Sequence, residues 1–313
     1  MSNPEDKKII TYSIKGRPSK VTVDDFAKPP LPDEPCAKFM EWFPDILAGK
    51  DIKEIVESTV KARKKKRGVI VALGGHVIKC GLAPVLNSLI EKDIITALAV
   101  NGACLIHDFE IALFGKTSED VAASLHKGTF GMAEETGALM NQIINQGVKK
   151  GMGFAESIAH YIGEKKPPYV DYSLLGAAWE YKIPITAHIA IGTDIIHMHP
   201  EADGARIGEG SMRDFYKFTD TIVTLDKGGV YFNIGSAVIL PEVFLKAISI
   251  VLNKNRQLRD FITVNLDFIQ HYRPLQNVVT RPTLGRGKGY SLTGHHELLI
   301  PILAAAILAK KDF

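Results

Sequence analysis

From residue 68 onward, apolar positions fall into two alternating patterns. Residues 68–73, 94–100, 184–191, 230–234 and 261–266 are short runs rich in Val, Ile, Leu and Ala. Unbroken runs of that length read as strands buried on both faces. Between them the period changes. After Gly75, apolar residues recur at Ile78, Leu82, Val85, Leu86, Leu89 and Ile90, which predicts one amphipathic helix. Asn101-Gly102-Ala103 opens another. Helices are also predicted over 36–48, 52–65, 173–181, 241–252 (proline near its first turn) and 298–310. Residues 117–164 read as helical, starting at Thr117 and broken at Gly128–Gly131 and Gly151–Gly153. Residues 221–225 read as a further strand. Residues 197–211 and 267–297 have no regular period and read as loops, the first of them functional. Near the start, residues 9–14 fit an edge strand, and prolines at 29, 30, 32 and 35 fit an extended connector. Strands alternating with helices predict an α/β fold with a doubly wound parallel sheet. Residues 1–34 form an extended N-terminal arm in this reading, and 35–313 a single α/β domain.

Composition narrows the partners. The net charge of +3 comes from 38 basic and 35 acidic residues, too balanced to imply nucleic acid. The basic run 61–67 reads as a solvated helix end complementing the helix dipole. Cys36, Cys80 and Cys104 show neither disulfide nor metal spacing, which favours a reducing compartment. The first residues lack the apolar core of a signal peptide, and no apolar run is long enough to span a bilayer. A cytoplasmic protein with no membrane partner is expected.

The candidate chemistry lies where strands end. Gly74-Gly75, Asn101-Gly102-Ala103 and Gly235-Ser236 are small residues at strand-to-helix turns. In a parallel sheet these turns share one edge, where phosphates can approach amide groups at helix N-termini. None of the three matches a dinucleotide fingerprint or a P-loop. His107 and Asp108 fall in the first turn of the helix after Asn101. An imidazole there is held neutral and suits a proton acceptor; Asp108 fits a ligand contact or a helix cap equally. His197 and His199, with Glu201 and Asp203, have a spacing open to metal. The same segment can be read as acidic: Asp194, Glu201, Asp203, Glu209 and Asp214 would line a site for a cationic amine. Lys288, between two glycines, is the candidate for a lysine imine. Glu297, after His295 and His296, reads as the acid of a helix start.

These segments carry a family resemblance. The strand–turn–helix of 68–89 with Cys80-Gly81, the stretch 99–108, the strand 184–191 ending in Gly192-Thr193-Asp194, and the segments 261–266 and Thr280-Arg281-Pro282 resemble the deoxyhypusine synthase family. The resemblance implies a Rossmann-like fold, a homotetramer, NAD as cofactor, and a polyamine as aminoalkyl donor. It implies that Gly74, Gly75, His76, Asn101, Gly102, Ala103, His107, Asp108 and Asp194 surround the cofactor and amine; Gly235 and Ser236 join them on the edge. The chain departs from the family at Gly74-Gly75-His76, where the family has Thr-Ser-Asn. It departs again after Gly235, where no catalytic histidine follows, and at Lys288, which lacks the family's preceding tryptophan. The expectation is therefore a deoxyhypusine synthase-like enzyme with altered chemistry. It would bind NAD or a related nucleotide and act on a small amine, with Lys288, His107 and Asp194 as catalytic candidates. The alternatives are a metal-dependent hydrolase at His197 and His199, and a non-catalytic nucleotide-binding oligomer.

Overall fold

The computed structural model describes residues 10–26, 40 and 43–310. The strands are β1 (Ser19–Thr22), β2 (Val69–Leu73), β3 (Ala97–Asn101), β4 (Lys116–Glu119), β5 (Ile185–His188), β6 (Val230–Ile234), β7 (Phe261–Asp267) and β8 (Gly287–Thr293). The helices are α1 (Leu47–Lys64), α2 (Gly75–Lys79), α3 (Ala83–Glu91), α4 (Gly102–Phe114), α5 (Val121–Leu125), α6 (Met140–Lys149), α7 (Phe154–Lys165), α8 (Leu174–Glu180), α9 (Gly204–Ile222), α10 (Ile239–Asn253), α11 (Tyr272–Pro274) and α12 (His296–Ala309). Six strands form one parallel sheet in the order β5-β3-β2-β6-β7-β8, and β1 pairs with β4 in a separate antiparallel pair. The sheet is doubly wound and Rossmann-like.

Side-chain alternation explains why both faces are covered. In β2, Val69, Val71 and Leu73 join a core with α1, α3, α4 and α12, whereas Ile70 and Ala72 join a second core with α9 and α10. A central strand such as β2 is therefore apolar throughout, which is why it reads as a continuous run. On the second face, Tyr231 of β6 stacks on Phe244 of α10 with ring centroids 3.7 Å apart. Among the described residues no helix is long and apolar enough to cross a membrane.

Several expectations are corrected. The single helix after Gly75 is two, because Gly81 turns the chain at φ +70° and Pro84 starts α3. A side chain at Gly81 would strike Phe26 at 2.6 Å. Residues 221–225 are not a strand: α9 runs to Ile222 and a 3-10 turn follows. Phe218, Ile222 and Leu225 are buried together at helical spacing, and that packing overrides β-branched composition. The loop expected over 197–211 becomes a 3-10 turn and the start of α9, where Asp203 accepts from the Ala205 and Arg206 amides. Residues 267–297 contain β8, whose glycines and two buried apolar residues, Tyr290 and Leu292, hid it. Thr117 lies in β4 rather than at a helix start. Of the edge strand expected at 9–14, the described part shows one bridge, Tyr12 to Ala133, followed by a 3-10 turn. The proline connector, most of the 36–48 helix and Cys36 lie outside the described residues.

The N-terminal segment is clamped onto the sheet domain by a buried ion pair. Arg17 donates to both carboxylate oxygens of Glu110 on α4, at 2.7 and 2.8 Å. Thr117 and Thr136 donate to the same carboxylate. Removing one partner strands the other charge in the interior. Glu110→Gln is expected to lower unfolding stability by about 3–5 kcal/mol, read by urea denaturation.

Candidate functional site

The order of the six parallel strands, counted along the chain, is third, second, first, fourth, fifth, sixth. The direction of winding reverses between β2 and β6, and open α/β sheets bind ligands outside the carboxyl ends of their strands at that reversal. Gly74 follows β2 and Gly235 follows β6. The Gly74 amide donates to the Ile234 carbonyl at 2.9 Å. A Cβ on Gly74 would overlap the Gly235 carbonyl oxygen. Gly235 itself sits at φ +65°, against the His296 ring. Glycine is required at both positions by contact and by conformation. The Ser236 hydroxyl accepts from the Leu240 amide at 3.3 Å, in the first turn of α10.

One strand further out, Asn101 ends β3 and caps α4, its Oδ1 accepting from the Cys104 amide at 3.0 Å. A side chain on Gly102 would overlap the Asp194 carboxylate. One on Gly75 would press the Ala103 methyl at 2.8 Å and stand 3.4 Å from the His107 ring. The starts of α2 and α4 are thus pressed together, with Asp194 against one end of the seam and His107 beside the other. Beyond the edge, a cavity of about 440 Å³ opens between the end of β5, α9 and the start of α10. His188, Ile189, Ser211, Phe215, Val238 and Glu242 are among its walls. Its size and its mostly apolar lining with a few polar groups suit a small ligand or part of a cofactor.

Two groups at this seam are shifted by burial. Burial pushes the Asp194 carboxyl up to about 6. Desolvation lowers His107 to about 4, against the opposing pull of Glu110. Its Nδ1 lies 2.8 Å from the Thr117 hydroxyl, and that hydroxyl donates onward to Glu110. A hydroxyl already donating can only accept from the ring, so Nδ1 carries the proton and Nε2 keeps its lone pair. His107 is thereby fixed as a neutral acceptor by a chain running through Thr117 to Glu110 and Arg17.

The small residues suit the approach of a nucleotide to backbone at the reversal, where the Gly74–Gly235 contact is flanked by the His296 ring. At α4 the Asp194 carboxylate already faces the helix start, so an anion there would meet a like charge; a hydroxyl or an ammonium would not.

Other candidates lie apart from this edge. Asp108 is buried and accepts from the Ser173 hydroxyl and the Leu174 and Leu175 amides, at 2.6, 2.7 and 3.0 Å. Both its oxygens are engaged at the start of α8. Lys288 begins β8, in register with Ile262 at the amino end of the sheet. There it is exposed and pairs with Glu54 at 2.5 Å. The edge that carries Gly74 lies at the other end of the strands. Asp203 caps α9, and Glu209 pairs with Arg206 and Arg213 on that helix. Asp214 is buried, accepting from the Ala155 and Ala187 amides, and burial raises it to about 7. The backbone carbonyl of Glu201 holds Asn145. His197 accepts the Gly192 and Asp194 amides at Nδ1, while His199 donates from Nε2 to the Gly131 carbonyl at 2.7 Å. These two histidines brace the chain around Asp194 rather than converge on one ion. Among the described residues, the one group of three side chains that can share an ion is His76, Cys80 and Glu297.

Arg17, Glu110, Thr117 and His188 were not among the functional candidates read from the sequence. Glu110 was marked only as an acid on a largely apolar helix; of its partners, Thr117 follows closely on β4, whereas Arg17 and Thr136 come from segments more distant along the chain.

No protein-family model matches the chain, and no curated protein matches its sequence. Solved structures do share its fold. A conserved protein described as LOR/SDH, from Methanococcus maripaludis S2, superposes with a TM-score of 0.51 at 16% identity, over 89% of this chain and 73% of the other. AgrE, solved with ornithine and NAD+, superposes at 0.53 and 15%, over 82% of this chain and 32% of its own. A cyanobacterial arginine dihydrolase, ArgZ, gives 0.51 and 16%, over 84% and 33%. The chain thus spans about a third of the length of AgrE and ArgZ. A protein from Entamoeba histolytica described as a deoxyhypusine synthase gives 0.47 at 10% identity, over 84% and 90%, and nothing is argued from it. At these identities the likeness shows the Rossmann-like fold and no one family.

A depressed histidine favours the folded state only while it is neutral. Between about 6.5 and 4 the unfolded chain binds the extra proton, so this contribution to stability is lost as pH falls. Ring 15N NMR of His107 should report the Nδ1–H form with its midpoint near 4, and Thr117→Val should mix the tautomers. His107→Gln should flatten the same limb of the stability–pH curve.

Proposed function

We propose that this protein binds NAD or a related nucleotide across the carboxyl edge of its sheet and dehydrogenates a small amine. The observation that carries this reading is the touching of Gly74 and Gly235 at the winding reversal, with Asp194 and His107 flanking the neighbouring helix start. When bound, the nicotinamide would supply the hydride acceptor. The NAD and ornithine of the AgrE complex belong to a larger protein with the same fold; they indicate the class of ligand to test.

The residues divide the work by charge. Asp194, raised to about 6, is ionised at neutral pH and attracts a substrate ammonium, which lowers its pKa in turn. His107 offers its Nε2 lone pair to a proton leaving the amine. Positive charge arriving on that ring is relayed through Thr117 toward Glu110. The cavity beside β5 and α10 gives the apolar part of the ligand a surface that excludes water. Lys288, the candidate for imine capture, is paired with Glu54 at the amino end of the sheet, away from this edge. Dehydrogenation is therefore preferred over aminoalkyl transfer. A homo-oligomer in the cytoplasm belongs to the same reading.

Scanning calorimetry with NAD, NADP and polyamine or amino-acid amines tests it. A nucleotide at a hundred times its Kd should stabilise the fold by about 2.7 kcal/mol. His107→Gln is expected to lower kcat by about 10²–10⁴-fold, and Asp194→Asn to raise KM for the amine while leaving nucleotide binding intact. Lys288→Met should leave turnover unchanged. Absence of a thermal shift with every nucleotide would overturn the proposal.

A further inference from the structure

A second constellation stands at the same edge, on the side of α2 and α12. His76 and Cys80 are one helical turn apart, and the His76 Nε2 lies 3.3 Å from the Cys80 sulfur. Glu297, in the first turn of α12, brings Oε2 to 3.9 Å from that sulfur. All three donor atoms lie within 4.8 Å of one another. With Zn–S near 2.3 Å and Zn–N or Zn–O near 2.0–2.2 Å, the edges of a tetrahedral site measure about 3.3–3.6 Å. The two separations from the sulfur, 3.3 and 3.9 Å, lie at the lower end of that range and a few tenths of an ångström above it, before any ion draws the donors in. We propose that His76, Cys80 and Glu297 form an open binding site for a borderline-soft divalent cation, zinc being the best fit. This goes beyond the nucleotide reading and does not depend on it.

The surroundings hold the three donors in place. The Cys80 amide donates to the His76 carbonyl at 3.0 Å, fixing the two ligands on one turn. His296, buried to 1% exposure, donates from Nε2 to the Leu266 carbonyl at 3.2 Å and anchors the start of α12, one residue before Glu297. Its other nitrogen, Nδ1, is buried without a partner, and its ring stands 5.6 Å from that of His76. His295 Nδ1 lies 3.5 Å from the other Glu297 oxygen, as an outer partner orients a ligating carboxylate.

The ligand types identify the ion. One thiolate, one imidazole and one carboxylate suit zinc better than magnesium or calcium, which take oxygen donors. On binding, the thiol proton passes to solvent and the Cys80 sulfur forms the metal bond. Three protein donors leave a fourth position for water or for an oxygen of a bound ligand, the arrangement of zinc sites that act on substrates.

Cobalt substitution tests the assignment on the full chain after chelation. One equivalent of Co²⁺ per chain should give a thiolate-to-cobalt charge-transfer band, and Zn²⁺ should displace it. Cys80→Ser should abolish the band, and His76→Ala and Glu297→Gln should weaken Co²⁺ binding at least tenfold. Cys36→Ser and Cys104→Ser should retain the band, and far-ultraviolet circular dichroism verifies that each variant is folded. No band in the unaltered chain, or a band that survives Cys80→Ser and vanishes with Cys36→Ser, overturns the site. NAD-induced thermal shifts measured on the metal-free protein keep failure of this site separate from failure of the nucleotide reading.

Discussion

Everything at the carboxyl edge depends on two backbones that touch. Gly74 and Gly235 end neighbouring strands on either side of the winding reversal, and Gly74 has no room for a methyl group. In most doubly wound sheets the reversal opens a crevice because helices depart to opposite faces. Here the crest between β2 and β6 is closed by direct contact, and the openings lie to its two sides. The apolar cavity bounded by α9 and α10 is on one side, and the donor cluster of His76, Cys80 and Glu297 on the other. A ligand engaging both would have to cross the Gly74–Gly235 backbone beside the His296 ring.

The second constraint is the handling of buried polar groups. Asp108 and Asp214 are carboxylates in apolar surroundings, and each satisfies backbone amides from another segment: Asp108 at α8, Asp214 at α7 and β5. Burial raises both, and their amide donors pull in the opposite direction. Glu110 is handled differently. It is neutralised by Arg17 and crowded by two threonine hydroxyls. That arrangement reaches the site through Thr117, so the N-terminal segment does more than decorate the sheet. It sets which nitrogen of His107 carries a proton. Stability and site chemistry share one buried network.

Thiol chemistry follows the same logic. Cys104 is fully buried, with its sulfur at the Leu73 carbonyl, and is inert packing. Cys80 is half-buried; burial first, and then the charge of Glu297, push its thiol up to about 11. A free thiolate is disfavoured there, which argues against Cys80 as an unaided nucleophile. An arrangement that opposes a bare anion is compatible with a cation bound among the same three side chains.

The chain by itself determined the doubly wound sheet, because burying a strand on both faces imposes an unbroken apolar run that no partner can disguise. It also placed the small-residue strand-to-helix turns on one edge, since the turns that follow parallel strands must share it. Asn101 and Gly102 were legible as candidates for that reason; His107 was read from the first turn of its helix, and Asp194 from the turn that ends its strand. What it could not determine rests on pairs remote along the chain: Arg17 with Glu110, 93 residues apart, and Cys80 with Glu297, 217 apart. Lys288 was the candidate for an imine, yet it lies in the first residues of an edge strand at the amino end of the sheet because β8 pairs with β7. Asp108 looked available for a ligand, but tertiary packing brought the start of α8 over it. Local spacing fixes period and turn chemistry. Only the closure of the fold decides which polar groups meet, and the energy of desolvating them decides which are locked in place and which stay free to act.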